Sequence, residues 1–372
     1  MKHWIISVLL AITLINSPAQ VSLLDNPTIL EKVKQCLHAT YNFSFIEARE
    51  LQCQLAKLHP DHPAPYFLKG LIIYWQNFPL IPEKKASGDF IEQMDLSISK
   101  ASRMVPDSAL YLEGIFFNLF GRAFKAMYWA DNGRALKVLP DLRVMYSNTM
   151  TGFDLKDEFV EFYFSCGLYN YYIEAFPEAN PIYKPLVAFM RDGDKELGLQ
   201  QLEYAMEHSI YLKAESLLFM SLIHCNYEAN LAAASKYALR LYHSYPRNSY
   251  YWGHAIITLL HQGAFSLAGE LLKATTIRQD LFYSMIETLA EAFIEEFGSG
   301  KMDRASMLYR NSLDIASKYG DFGNLYKAIA YMGLSRIAAT EKDETLKLKY
   351  LRLAESHTGY DYIINGPENL PL

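Results

Sequence analysis

Apolar residues recur along the chain at three- and four-residue steps, and no segment sustains the two-residue alternation of a half-buried strand, so helices are predicted throughout. Trp252, Ala255, Ile256 and Leu259 form one such face, Gly263 interrupts it, and Phe265, Ala268 and Leu272 open a second. Two short helices joined as a hairpin follow from that order. Ala234 stands 34 residues before Ala268, in the same slot of the preceding unit. Twelve residues after Ala234 comes Pro246, and twelve after Ala48 comes Pro60, each followed by a polar residue and a new helix. Proline cannot continue a helix but is tolerated at the start of the next, which suits it to the boundary between units. Phe45, Ala48, Leu51, Leu55 and Leu58 make another second helix, and further ones start near Gly193–Asp194, with Gly198, Leu202 and Ala205, and near Met302, with Ala305, Tyr309 and Leu313.

The first helices carry a different mark: Gly70–Leu71, Gly114–Ile115, Gly167–Leu168 and Gly333–Leu334, each glycine preceded by aromatic or apolar residues in mid-helix. Glycine there costs about 1 kcal/mol relative to alanine, and a close helix crossing would offset it. Regularity fails in two places. Between Phe78 and Gly88, Pro79 and Pro82 with Lys84 and Lys85 predict an irregular link inside the second hairpin, and Pro177, Pro181 and Pro185 predict an extended excursion with a short helix before Arg191. The helix around 107–130 looks longer than its counterparts.

The spacing of Trp252, Leu259, Gly263, Phe265 and Ala268, with its 34-residue period, resembles the tetratricopeptide repeat (TPR). The match covers most of residues 27–358, is strongest at 45–63 and 231–275, and departs from the family pattern at 76–90 and 106–192. It implies small residues at tight helix crossings. The expected fold is an all-α, right-handed TPR-like α-solenoid of about eight hairpins over 20–358, with irregular central hairpins and a polar C-terminal tail over 359–372. The central section is also similar, more faintly, to the TPR lipoproteins that accompany TRAP-type solute transporters, where irregular hairpins surround a ligand cavity. The glycine-aromatic pattern at 163–172 and the hairpin at 192–205 carry that similarity, while no cysteine precedes Cys36 to serve as a lipid site.

Half the residues are hydrophobic and 14% aromatic, so a large core is expected. A net charge of -6, with both signs scattered, offers no cationic stripe for phosphates and argues against nucleic acid. Lys2 and His3 precede an apolar run from Trp4 to Ile15, followed by Asn16, Ser17, Pro18 and Ala19. That run is too short to span a bilayer but suits a secretory signal peptide over 1–19, cleaved between Ala19 and Gln20. No later segment approaches a membrane span, so a periplasmic or extracellular protein is expected. Of four cysteines, Cys36 and Cys53 flank the turn at Asn42–Ser44 and are the pair best placed to bond. Free thiols at all four, including Cys166 and Cys225, are expected, because a large helical core needs no staples.

Candidate chemistry is sparse. Gly298–Ser299–Gly300–Lys301 lacks the first glycine and the preceding strand of a P-loop and reads as a turn between helices. His59, Asp61 and His62, or Asp192 and Asp194, are the compact sets of metal-ligand types, yet each falls at an expected turn without a full ligand series. His254 and His261 share a helical face but lack the glutamate of a zincin. No catalytic, metal or cofactor site is therefore expected, and the chain is read as a non-enzymatic scaffold that binds a protein or peptide on its concave face. The alternatives are a binding protein for a small apolar solute, favoured by 27 tyrosines and 21 phenylalanines, and an enzyme whose site is assembled from distant residues. If first helices line the concave side, positions just beyond each crossing glycine face it. These are Leu71, Tyr74 and Trp75, then Asn118, then Asn170, Tyr171 and Tyr172, with Asn226 and Tyr227 by repeat register.

Overall fold

The computed structural model describes residues 22–82, 84–104, 110–273, 277 and 280–366. The segment expected to be a signal peptide, the bond at which cleavage is expected and residues 367–372 lie outside the described residues. All regular structure among the described residues is helical. The chain begins with α1 (Pro27–Tyr41) and α2 (Phe45–Leu58), then α3 (Ala64–Gln76) and α4 (Lys85–Ala101), then α5 (Tyr111–Asp131) and α6 (Leu139–Leu155). After α7 (Phe162–Ala179) comes the short α8 (Lys184–Val187), and α9 (Lys195–His208) completes that pair. Next are α10 (Lys213–Asn226) with α11 (Leu231–Ser244), and α12 (Ser249–Gln262) with α13 (Phe265–Leu272). The last pairs are α14 (Leu281–Phe293) with α15 (Met302–Ala316), and α16 (Asn324–Thr340) with α17 (Glu344–Glu355); α18 (Asp361–Ile364) ends the described chain. Each helix packs chiefly on its neighbours in sequence, as in a helical solenoid.

Local chemistry sets these boundaries. Asn26, Asp194, Asn230, Asn248, Asp280 and Asp343 each cap a helix by accepting from backbone N–H groups of its first turn, and Pro27 occupies a first-turn position whose N–H would be unpaired anyway. Gly263, at φ 86°, ends α12 in a left-handed conformation that costs glycine little. The predicted hairpin of Trp252 and Ala268 is present: Trp252, Ala255, Ile256 and Ala268 are fully buried, and the Trp252 indole donates to Leu271 O at 2.9 Å.

The crossing glycines are where backbones meet. A methyl group on Gly167 would lie 2.9 Å from Gly198 O, and one on Gly198 would lie 2.8 Å from Gly167 O, so α7 and α9 touch main chain to main chain. At Gly333 the same methyl would enter the Tyr309 ring, the contact that seats α16 on α15. The link expected over Phe78–Gly88 does separate α3 from α4 but is shorter, since α4 begins at Lys85, and α7 runs past Pro177 before the second excursion. The end of the chain differs from a polar tail. Asp361–Ile364 folds as α18, Ile363 is buried, and the Tyr362 ring meets His261 edge-on at 5.2 Å, so packing extends beyond residue 358. All four cysteines are free thiols; Cys36 is buried against Ala48 O while Cys53 is exposed. No helix among the described residues is long and apolar enough to cross a membrane.

The coil turns back on itself. Tyr41, at the end of α1, donates its hydroxyl to Glu215 of α10 at 2.5 Å, and its carbonyl accepts from Asn248 Nδ2 at 2.9 Å. Beside it, Arg247 N donates to Asn42 Oδ1 at 3.0 Å. The inner face of α3 meets the same helices: Trp75 packs on Tyr251 at 5.3 Å, and Phe78, just past α3, lies 4.9 Å from Tyr250 and 5.3 Å from Phe282. Phe67, Phe116 and Phe117 enclose Tyr211, which leads into α10. The first helices do face inward, but they meet one another there.

Asn248 is fully buried, bridges to Tyr41 and caps α12. Asn248→Ala is expected to lower the unfolding free energy by about 2–3 kcal/mol, the cost of a lost cap plus an unsatisfied buried carbonyl. Gln35→Ala, an exposed control, should change it by less than about 0.5 kcal/mol. Denaturant titration reads both, and equal losses would mean the closure contributes nothing.

Candidate functional site: an apolar cavity with a buried carboxyl group

The residues expected to line an open groove are dispersed in the closed interior. Leu71, Tyr74 and Trp75 are buried, Trp75 against Tyr251 of α12 and Tyr74 against Trp75 and Phe90 of α4. Asn118 is half-buried and links three helices, donating to Ser102 Oγ at 2.7 Å and accepting from Arg122 Nε and Asn148 Nδ2. Asn170 is buried against Gln201 at 2.8 Å, and Tyr171 is buried with its hydroxyl on Glu228 at 2.5 Å. Tyr172 and Tyr227 do meet, at 5.4 Å and nearly perpendicular, and Asn226 beside them is half-buried. An open groove lined by all nine does not exist: packing across the coil has taken up the surface that would have formed it.

Space is left at another place. Where α5, α6, α7 and α10 converge, a cavity of about 330 Å³ remains. The length of α5 brings Phe120, Ala123, Phe124 and Met127 onto one wall at helical spacing. Met145 and Thr149 from α6 form the outer wall, Phe164, Leu168 and Tyr169 come from α7, and Glu215 and Phe219 from α10. Depth is graded. Phe120, Phe124, Phe164 and Glu215 are buried, whereas Met145, Thr149, Leu168 and Tyr169 are half-buried, which puts the mouth on the α6 side. The helix α6 buries little more than Gly152 and Phe153 and exposes Leu139 and Leu142, so it is the most lightly held wall. Arg122 and Asp141 pair across it and tie α6 to α5. A hollow of about 750 Å³ between α11 and α12–α13 is larger, but it is an open depression edged by Lys236, Arg240, His243 and Gln262.

Glu215 is the one ionisable acid in the cavity wall. Its Oε1 accepts from Tyr41, and its Oε2 is buried without a hydrogen-bond partner. Burial pushes its carboxyl up to about 7, against the opposing effect of the Tyr41 hydrogen bond. Glu161, also raised to about 7 by burial, differs in being saturated: it accepts from Ser209 Oγ and from the N–H groups of Ile210 and Tyr211, which lead into α10. Glu113 faces His62 Nε2 at 2.5 Å and takes the Ser22 hydroxyl, while His62 Nδ1 accepts from Ala64 N. That arrangement puts the carboxylate between serine and imidazole, and so leaves the hydroxyl without a base. His254 and His261, both lowered to about 4 by burial, bond Ser221 Oγ and Ile257 O. Among the described residues no cluster of three metal-ligand side chains occurs.

The cavity left two traces in the sequence: the unusual length of α5, and a single acid, Glu215, in the apolar stretch from Ala214 to Ile223. None of the nine expected residues lines it, although Leu119 and Tyr169, which do, neighbour Asn118 and Asn170 in sequence. Compared with models of known protein families and with curated proteins, the sequence matches none.

The state of Glu215 is testable. A carboxyl whose folded pKa exceeds its unfolded one keeps a proton that the unfolded chain has released, so its contribution to stability falls as pH rises from 4.5 toward 7. Glu215→Gln removes that loss. The stability difference, variant minus wild type, should grow by about 3 kcal/mol between pH 4.5 and 7.5. His254 and His261 act in the opposite sense, but equally in both proteins, and cancel from the difference. A difference that stays flat with pH would show Glu215 ionised normally.

Proposed function

We propose that this is a non-catalytic, exported binding protein built as a right-handed TPR-like coil of about eight hairpins, and that it takes a small, largely apolar molecule into the cavity between α5, α6, α7 and α10. The observation that carries the reading is the cavity itself: a volume within the range of small-molecule sites, walls rich in phenylalanine and methionine, and one carboxyl group among the buried lining residues. Apolar walls supply affinity by removing ligand surface from water, and methionine adapts to irregular shapes. A carboxyl with no base in the cavity wall, its nearest acid Glu161 already saturated by neutral donors, suits orientation better than chemistry. Export, expected from residues 1–19, and the faint similarity to TPR components of TRAP-type transporters fit a protein that holds a solute on its way to a membrane carrier.

Docking of a protein or peptide partner is the second reading. One observation favours it: Ile182 and Phe189, in the excursion after α7, are almost fully exposed. That surface lies outside the coil, so it replaces the concave groove as the place where a partner would sit.

Butylbenzene is a suitable probe of the first reading. Calorimetry is expected to show one site per chain, and Ala123→Phe, which puts a ring into the cavity, should weaken binding at least about tenfold (1.4 kcal/mol) while moving the melting temperature by only a few degrees. Unchanged affinity in the variant would place the site elsewhere.

A further inference from the structure

The interior near the cavity is rich in acids and poor in bases. Glu113, Glu161 and Glu215 are all buried there, and of the three only Glu113 has a basic partner, His62. Glu161 is satisfied by neutral donors. Glu215 has one donor from another residue, Tyr41, besides its own backbone N–H, and its Oε2 is covered from solvent with no side-chain partner. The groups that face it are Tyr41 from α1, Tyr245 and Tyr251 from the start of α12 and the turn before it, and Glu161 from the entry to α7. None of these is a cation. An unpaired carboxylate in apolar surroundings is disfavoured, so the group holds its proton up to about pH 7 unless something supplies positive charge. The cavity wall that adjoins it offers aromatic faces from Phe120, Phe124, Phe164 and Phe219, surfaces that attract cations as well as hydrocarbon.

We propose that the molecule held in this cavity carries a basic nitrogen at one end of an aryl or alkyl body, and that its ammonium group pairs with the Glu215 carboxylate, whose covered Oε2 turns toward the cavity as the ligand enters. The inference rests on the cavity being a ligand site and adds the chemical class of the ligand. Below pH 7 the step is an exchange: the ammonium enters, the Glu215 carboxyl gives one proton to solvent, and an ion pair replaces two separated groups. No bond of the ligand is made or broken. Above pH 7 the carboxylate is already ionised once water reaches it and no proton is released. Affinity for an amine therefore rises about tenfold per pH unit up to 7 and levels off beyond it, until the amine itself loses its proton.

Three probes of one shape separate the possibilities: phenylbutylamine, phenylbutanol and butylbenzene, measured by calorimetry on the whole mature chain. At pH 8 the amine is expected to bind at least about tenfold more tightly than the alcohol, because a charge-assisted hydrogen bond exceeds a neutral one. At pH 6, titrations in two buffers of different ionisation enthalpy should report about one proton released per amine bound. Glu215→Gln, which keeps the shape and can still accept from Tyr41, should abolish both the preference and the proton release while retaining butylbenzene. Equal affinity for amine and alcohol, or a preference that survives Glu215→Gln, would overturn the proposal and leave the apolar site standing. Failure of all three probes to bind would overturn both. The pH profile and proton count of the wild-type chain decide the matter even if the variant fails to fold.

Discussion

The contact on which the molecule depends is at Tyr41. Its hydroxyl reaches Glu215, its carbonyl is held by Asn248, and its ring lies among Trp75, Tyr245 and Tyr251. Those partners come from α3, from α10 and from the turn leading into α12, so one residue joins the first hairpin to units far along the coil. A chain of hairpins in which each touches only its neighbours has no reason to close, and its stability is a sum of local terms. Here the long-range contacts add a single interior, and buried apolar residues from α1 to α18 form one continuous core.

Closure decides what the inside can do. Facing helices bring aromatic side chains together at edge-to-face distances, as in Trp75 on Tyr251 and Phe78 on Phe282, and these contacts exclude a partner from the surface they cover. The length of α5 and the light packing of α6 prevent the same filling beside α7, and the cavity is the result. Tyr41 links the two features. The hydroxyl that closes the coil is the donor that positions Glu215 in the cavity wall, so a ligand that changes the charge of Glu215 acts on the closure as well.

What was legible in the sequence is what is local. The spacing of Ala234 and Ala268 located two second helices, the turns at Pro60 and Pro246 fell between helices, and Gly167 was recognisable as a crossing because glycine in mid-helix needs a reason. The closure was not legible, since Tyr41 and Glu215 lie 174 residues apart and meet only through the rotation accumulated over the intervening hairpins. For the same reason nothing local says that Trp75, expected to face an open groove, already meets Tyr251 of α12. The tail misled through composition: Tyr362, Ile363 and Ile364 are a short apolar run among polar residues, and it is they that dock. Glu215 was not singled out from the sequence, because its place in the cavity wall depends on α5, α6 and α7 converging beside it.

The closure is the claim on which the rest stands, and one distance tests it. Spin labels at Glu47→Cys and His243→Cys, both exposed and each four or five residues from the contact of Asn42 with Arg247, report whether the coil has closed, with exposed Cys53 first replaced by serine. The account predicts a single narrow distance below about 30 Å, since five residues of helix span only about 7 Å on either side of that contact. An open coil, with successive hairpins about 10 Å apart, would put the labels more than about 40 Å apart, and that result would contradict the closed interior and the cavity built on it.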